Sequence, residues 1–135
     1  MGTDSYDFGD YDYFCTVFSS KVVKAKKQHR CSCCRRAINP GENYTKEAGT
    51  GDGFWTTKGC SHCTVARAWL EKETQWSFMF SFDTYDDLYG VVERVGTLEA
   101  AKLYAGIRMR WVNAAGKLLK VPKMPLTSKE IREKT

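Results

Sequence analysis

The sequence predicts a small, single-domain α+β fold centred on a hairpin and a helix that share a metal ion. Three observations lead to this prediction: two C-x2-C pairs, alternating apolar positions typical of strands, and apolar positions at helical spacing. A chain of 135 residues suits one compact domain, and 42% apolar with 27% charged residues is an ordinary globular composition. We divide the chain into an acidic arm (1–13), a domain (14–121) and a basic tail (122–135).

The N-terminal half is predicted to form strands and turns. Residues 14–25 are rich in Val, Phe and Thr, which indicates one or two short strands. Residues 31–34 form a tight cysteine turn, and Asn39-Pro40-Gly41 is a strong turn signal. Residues 43–47 and 54–57 flank a glycine-rich segment, which predicts a hairpin with a flexible tip.

Helices dominate the predictions for the second half. Apolar spacing indicates a helix over 61–75, a second helix capped by Asp83 or Thr84, and a third helix capped by Thr97 and ending at Gly106. One helical turn is expected near Ser128.

Two further strand regions are expected there. The alternation of Phe78, Phe80 and Phe82 with smaller residues suggests a half-buried strand. A second, C-terminal hairpin is expected from the alternation at 107–111, the turn at 113–116 and the segment 117–121.

The cysteines carry the strongest chemical signal. Cys31 and Cys34 form one C-x2-C pair, Cys60 and Cys63 form another, and 25 residues separate the pairs. Zn²⁺ prefers four such ligands at tetrahedral corners, so we predict that these four cysteines bind a structural Zn²⁺. A cysteine turn, a hairpin and a second pair opening a helix follow the order of a treble-clef finger.

Several alternatives remain open at this point. A redox C-x2-C pair, an iron–sulfur cluster and ordinary buried thiols use the same residue type, and a C-x-C chelate would use Cys31 with Cys33. We expect Cys33 to point away from the metal, His62 to face solvent, and Cys15 to lie in the core. His29 is interpreted as a surface residue, with hydrogen bonding to a metal ligand as the alternative.

The segment from Cys31 to Tyr44, with Ile38, Gly41 and Glu42 between, resembles the opening of LIM-type and PARP-type zinc fingers. It is also similar to small four-cysteine zinc proteins encoded by tailed bacteriophages and prophages. The resemblance covers residues 31–63 and implies zinc binding. The sequence departs from these families at three points. Arg35, directly after Cys34, stands where many such C-x2-C turns have glycine. No second LIM module is present, and the histidine ligand of PARP-type fingers is absent before Cys60.

Charge is distributed unevenly along the chain. The formal net charge is +5, although the first thirteen residues contain four aspartates and no Lys or Arg. A basic run near the first cysteine pair predicts salt-sensitive binding of nucleic acid, and a merely solvated basic face is the alternative. The nucleic-acid-binding residues that we predict are Lys21, Lys24, Lys26, Lys27, Arg30, Arg35, Arg36, Arg108 and Arg110. Trp111, Trp55 and Phe54 are candidates for stacking on bases or for the core.

Other classes of function are disfavoured. No apolar run approaches the length of a membrane span, and the start lacks the pattern of a secretory signal, so a cytoplasmic, reducing location is expected. The deaminase, His-Glu-x2-His and P-loop patterns are absent, and four cysteines leave no open metal position, so we predict no enzyme. The alternative to nucleic-acid binding is a phage-type accessory module that binds and modulates a host protein.

Overall fold

A computed structural model describes residues 16–51, 53–78, 80 and 82–134. The acidic arm and Cys15 lie outside the described residues. In chain order the strands are β1 (Thr16–Lys24), β2 (His29–Arg30), β3 (Ala37–Ile38), β4 (Asn43–Gly51) and β5 (Gly53–Cys60). They form an antiparallel three-stranded sheet in the order β1-β4-β5 and a two-stranded sheet of β2 and β3.

The predicted hairpin is confirmed and is longer than expected. Strands β4 and β5 pair continuously from Tyr44 with Cys60 to Gly51 with Gly53. Gly53 closes the turn with φ of +106°, in the left-handed region that favours glycine. The strand predicted within 14–25 is β1, which pairs along the other edge of β4 with one irregularity between Val17 and Ser19.

Four helices follow the sheet: α1 (Ser61–Thr74), α2 (Phe82–Val95), α3 (Leu98–Arg108) and α4 (Ser128–Lys134). The α1 prediction is confirmed, and the helix stops where Gln75 adopts the left-handed conformation. Thr97 caps α3 as predicted, because its hydroxyl accepts a hydrogen bond from the Ala100 amide. The helix runs two residues beyond Gly106.

One face of the three-stranded sheet is covered by α1. Thr45 on β4 bonds Thr64 on α1 at 3.0 Å, and Glu47 pairs with Arg67 of α1 at 2.7 Å. The apolar side of α1, with Trp69 fully buried, packs in turn on α2 and α3. On the opposite face of the sheet, Thr56 and Phe54 of β5 are exposed.

The predicted strand at 77–82 is wrong. Among the described residues of this segment, Phe78 lies in irregular chain and Phe82 already belongs to α2. Phe80 is nonetheless buried, because its ring fills the space over Gly59 and lies 3.8 Å from the Arg67 guanidinium. Phe80 therefore packs on the core from irregular chain, and the described residues of this segment pair with no strand.

The predicted C-terminal hairpin is confirmed only around its turn, where the Asn113 amide donates to the Lys117 carbonyl and the Leu119 amide donates to the Trp111 carbonyl. Residues 107 and 108 complete α3, and only one antiparallel bridge, between Val112 and Leu118, joins the described residues of this region. Arg110 and Trp111 both have φ near +60° (57° and 59°), which is incompatible with an extended strand.

The described part of the C-terminal tail contacts α1. The Ser128 amide and hydroxyl both donate to the Glu73 carboxylate, and Lys72 pairs with Glu130 at 2.9 Å. The helical turn predicted near Ser128 is present as α4. None of the helices in the described chain is both long and apolar enough to span a bilayer.

Candidate metal centre and basic groove

Three separate pieces of the fold bring the four paired cysteines together. Cys31 and Cys34 lie in the turn between β2 and β3, Cys60 ends β5, and Cys63 lies in the first turn of α1. The hairpin spans the sequence gap between the pairs, because β4 and β5 run out and back in register. All four side chains are buried.

The four sulfur atoms form a compact cluster suited to a metal ion. All four Sγ atoms lie within 4.8 Å of one another, and those of Cys34 and Cys60 are 3.9 Å apart. A tetrahedral ion with Zn–S bonds of ~2.3 Å would separate its sulfurs by ~3.8 Å. The cluster is therefore close to the size that four-thiolate coordination requires.

Backbone amides point at these sulfur atoms. The amides of Cys33 and Cys60 each donate to Cys31 Sγ at 3.4 Å, and the Cys63 amide donates to Cys60 Sγ at 3.4 Å. Cys60 also serves as the N-cap of α1, so its sulfur lies at the positive end of the helix dipole. These donors stabilise thiolates, which are the metal-binding form of cysteine.

Hydrogen bonding within the cluster shifts the thiol pKa values in opposite directions. The bond with Cys34 is the main cause that lowers the pKa of Cys31, to about 7, and the bond with Cys31 likewise lowers the pKa of Cys60. The same bonds to Cys31 raise the pKa values of Cys34 and Cys63. A bound divalent cation would deprotonate all of its thiol ligands.

Cys33 lies beside the cluster but outside it. Its side chain is buried, yet its sulfur is not among the four that lie within reach of one ion. The preceding histidine, His29, is half-buried, with Nε2 3.5 Å from the Tyr44 hydroxyl. Partial burial, followed by the charges of Lys58, Lys27 and Lys46, lowers the pKa of His29.

His62 was expected to face solvent, and that prediction is wrong. The side chain is only 3% exposed, because the irregular C-terminal segment covers it. Its Nε2 lies 2.6 Å from the Leu119 carbonyl and its Nδ1 lies 3.3 Å from the Arg36 guanidinium. A neutral imidazole satisfies both contacts by donating to Leu119 and accepting from Arg36.

Trp111 is a contact to the cluster that sequence reasoning missed. The indole is 3% exposed, and Nε1 donates to Cys63 Sγ at 3.3 Å. The core alternative therefore applies to Trp111, and stacking on bases is excluded by burial. Sequence spacing gives no signal for this contact, since 47 residues lie between the indole and the sulfur.

Part of the predicted nucleic-acid-binding set lines one groove of about 520 Å³ beside β1. Among the described residues, no carboxylate lines this groove, and its aromatic members are His29 and Tyr44. The lysines that line it are Lys21, Lys24, Lys26, Lys27 and Lys46.

The predicted arginines lie outside this groove, and one of them is buried. Arg36 is 6% exposed and is held by Glu42 at 2.8 Å, so it is unavailable to a phosphate. Arg30 donates to the Arg35 carbonyl at 2.6 Å. Arg35 itself has φ of +71°, in the left-handed region that favours glycine.

Arg108 and Arg110 are exposed, but they belong to the end of α3 and the turn after it. The strand that was expected to present them beside Trp111 does not form, because α3 runs to Arg108, and Arg110 has a left-handed φ. They therefore do not extend the lysine groove.

No protein-family model, curated protein or solved structure matches this chain. The class of protein is thus defined by its own site. It is a small protein of mixed helix and strand in which four buried cysteines form a candidate metal-binding cluster.

Proposed function

We propose that Cys31, Cys34, Cys60 and Cys63 bind one structural Zn²⁺ in a treble-clef-like finger. The observation that carries this proposal is the burial of four sulfur atoms within 4.8 Å of one another. The order of elements supports the treble-clef description, since the first pair lies in a turn, a hairpin follows, and the second pair opens a helix.

The donor set favours a structural role over a catalytic one. Four thiolates complete a tetrahedral shell, so no position remains for a reactive water. The indole of Trp111 and three backbone amides already bond the sulfurs, which fixes their orientation. When bound, zinc would cross-link β5, α1 and the turn between β2 and β3 that holds Cys31 and Cys34.

Serine substitutions test this proposal, and Cys33 provides a matched control. Single C31S, C34S, C60S and C63S variants are expected to lose stoichiometric zinc and to lose folded structure, because a structural zinc contributes on the order of 10 kcal/mol to folding. C33S changes a cysteine that is equally buried but lies outside the cluster, and it is expected to keep one zinc per chain. Folded, metal-free C31S or C60S protein would refute the structural role, and zinc loss in C33S alone would refute the ligand assignment.

We further propose that the lysine groove binds nucleic acid. Five lysines line it and no described carboxylate does, so the groove attracts polyanions. The groove also lies near the first cysteine pair in the chain, because Lys26 and Lys27 precede β2, which leads into the turn that holds Cys31 and Cys34. Arg36 is buried, and Arg108 and Arg110 do not line the groove, so these three residues are not part of this face.

Fluorescence anisotropy with mixed DNA and RNA at two salt concentrations tests the groove. We expect binding to weaken steeply with salt and to be lost in a K24E/K26E/K27E variant. The matched control is K102E/K120E/K129E, which makes the same charge change at three exposed lysines that do not line the groove. Equal loss in both variants would show that net charge, not the groove, controls binding.

A protein-interaction module, as in phage-type accessory factors, is the second candidate. Its supporting observation is Trp76, which is 73% exposed beside a cleft of about 330 Å³. This candidate predicts that the K24E/K26E/K27E variant still binds the protein partner. Absence of nucleic-acid binding by the zinc-loaded protein at low salt would favour it.

A further inference from the structure

The open face of the three-stranded sheet carries three lysines in a single row. Lys21 on β1 pairs with Lys46 on β4, and Lys46 pairs with Lys58 on β5. Directly paired residues of an antiparallel sheet project from the same face, so the three ammonium groups share one side. Like charges placed directly opposite one another destabilise a sheet.

No described carboxylate relieves this repulsion. The ion pairs among the described residues involve Glu42, Glu47, Glu73 and Glu130, and none of them reaches this row. Glu47 follows Lys46 directly, but it projects to the opposite face and pairs with Arg67 of α1. The row therefore keeps three positive charges directed to one face, an arrangement that an external anion would stabilise.

An exposed aromatic side chain lies on the same face. Alternation along β5 places Lys58, Thr56 and Phe54 on one side, whereas Thr57 and Gly59 are buried on the other. Phe54 is 72% exposed, although burying a phenylalanine is strongly favourable. Phe54 lies four residues before Lys58 on β5, so their Cα atoms are ~13 Å apart along the strand.

We infer that this face, formed by the Lys21–Lys46–Lys58 row and Phe54, is a binding platform for single-stranded nucleic acid. The inference rests on the proposed nucleic-acid binding and specifies its substrate class. Three ammonium groups neutralise backbone phosphates, and the exposed ring stacks on an unpaired base. A span of ~13 Å corresponds to a few nucleotides. The bases of a duplex are already stacked on each other, so a duplex can bind this face only through its phosphates and the three lysines.

Anisotropy titrations with labelled dT12 and with its duplex, dT12·dA12, test this inference on the zinc-loaded protein. We expect dT12 to bind more tightly than the duplex. F54A is expected to weaken dT12 binding at least ~5-fold and to leave duplex binding unchanged, because stacking on a base is lost. W76A is the matched control, since it removes another highly exposed aromatic that lies outside the sheet.

The salt dependence separates the lysines from the aromatic ring. Each phosphate contact on a single strand contributes ~0.7 to the slope of log K against log salt, so K21Q/K46Q/K58Q is expected to lower the slope by ~2. F54A is expected to leave the slope unchanged. Circular dichroism and zinc content of each variant establish that the fold is retained.

Three results would overturn the inference in distinguishable ways. Equal affinity for single strand and duplex, unaffected by F54A, would overturn the single-strand platform and leave nucleic-acid binding by charge intact. An unchanged salt slope in K21Q/K46Q/K58Q would place the phosphate contacts elsewhere. Binding of neither probe at low salt would refute the proposed nucleic-acid function itself, and with it the platform.

Discussion

Replacing Gly106 with alanine should destabilise the protein through Trp111 and the metal cluster. An alanine Cβ at this position of α3 would lie less than 3.0 Å from three ring carbons of Trp111, which is closer than real Cβ contacts. The indole is buried in the core, so relieving the overlap requires a shift of the indole or of the α3 backbone. Its Nε1 would then lose the 3.3 Å hydrogen bond to Cys63 Sγ.

The expected change in unfolding free energy combines two destabilising contributions and one stabilising contribution. Overpacking costs about 1–3 kcal/mol. Loss of a hydrogen bond to a charged sulfur costs about 1.5–3 kcal/mol. Replacing glycine by alanine in a helix returns about 1 kcal/mol. We therefore expect G106A to lower the free energy of unfolding by about 1.5–5 kcal/mol.

Gly90 in α2 provides the matched control. A Cβ there meets no heavy atom within 4 Å, so G90A makes the same chemical change without a clash. G90A should raise the free energy of unfolding by about 0.5–1 kcal/mol. Urea denaturation of both variants at a fixed free zinc concentration measures the two values. A G106A variant as stable as G90A would refute the close packing of Trp111 on α3.

Two further variants probe the contacts around the site. E47Q removes the charged partner of Arg67, which keeps its bond to the Phe78 carbonyl and its contact with the Phe80 ring. Loss of the charge should cost about 3–5 kcal/mol in urea denaturation at pH 7. Burial opposes ionisation of Glu47, but the bonds from Arg67 and Ser20 outweigh it and hold its pKa below the usual value of 4.5. Because the pKa of Glu47 is lowered in the folded state, the stability that the ion pair contributes is present above pH 4.5 and is lost as the pH falls through the folded pKa. The difference in unfolding free energy between wild type and E47Q should therefore narrow on acidification. A difference that widens on acidification would contradict the ion pair. H62A removes the 2.6 Å contact to the Leu119 carbonyl, so hydrogen exchange of the Leu119 amide, which bonds Trp111, should accelerate by about 5-fold or more while zinc content stays at one per chain; unchanged exchange would show that His62 does not hold this segment.

Local patterns predicted the parts of the fold that local physics controls. The paired cysteines, the glycine-rich hairpin tip, the Thr97 cap and the α1 period each depend on neighbours within a few residues. Each C-x2-C turn brings two sulfurs together locally, and the predicted hairpin between the two pairs explains why all four sulfurs form one cluster.

The errors arose where long-range packing decides the structure. The aromatic alternation at Phe78 and Phe80 resembles a strand, but Phe80 is buried over Gly59 from a loop. Arg110 and Trp111 adopt left-handed backbone conformations that no propensity favours, and these end the alternation that predicted a hairpin. Trp111 and His62 reach the metal cluster and its surroundings from distant parts of the chain, so no spacing rule could assign them.

The lysine row depends on the register between strands, which neither local patterns nor the position of the basic run in the sequence reveal. The notable feature is that Lys21, Lys46 and Lys58 lie side by side across three strands, which depends on the register of two strand pairs. A basic run near the knuckle was visible in the sequence, but the division between the lysine groove, the buried Arg36 and the separate Arg108 and Arg110 was not.

The most direct test of the central claim is the metal content and coordination of protein purified without added metal. Elemental analysis and X-ray absorption at the metal edge are measured on the same sample. We predict one zinc per chain, surrounded by four sulfur atoms at ~2.3 Å. Iron in place of zinc, nitrogen or oxygen in the coordination shell, or folded protein without a metal would contradict the four-cysteine structural zinc site.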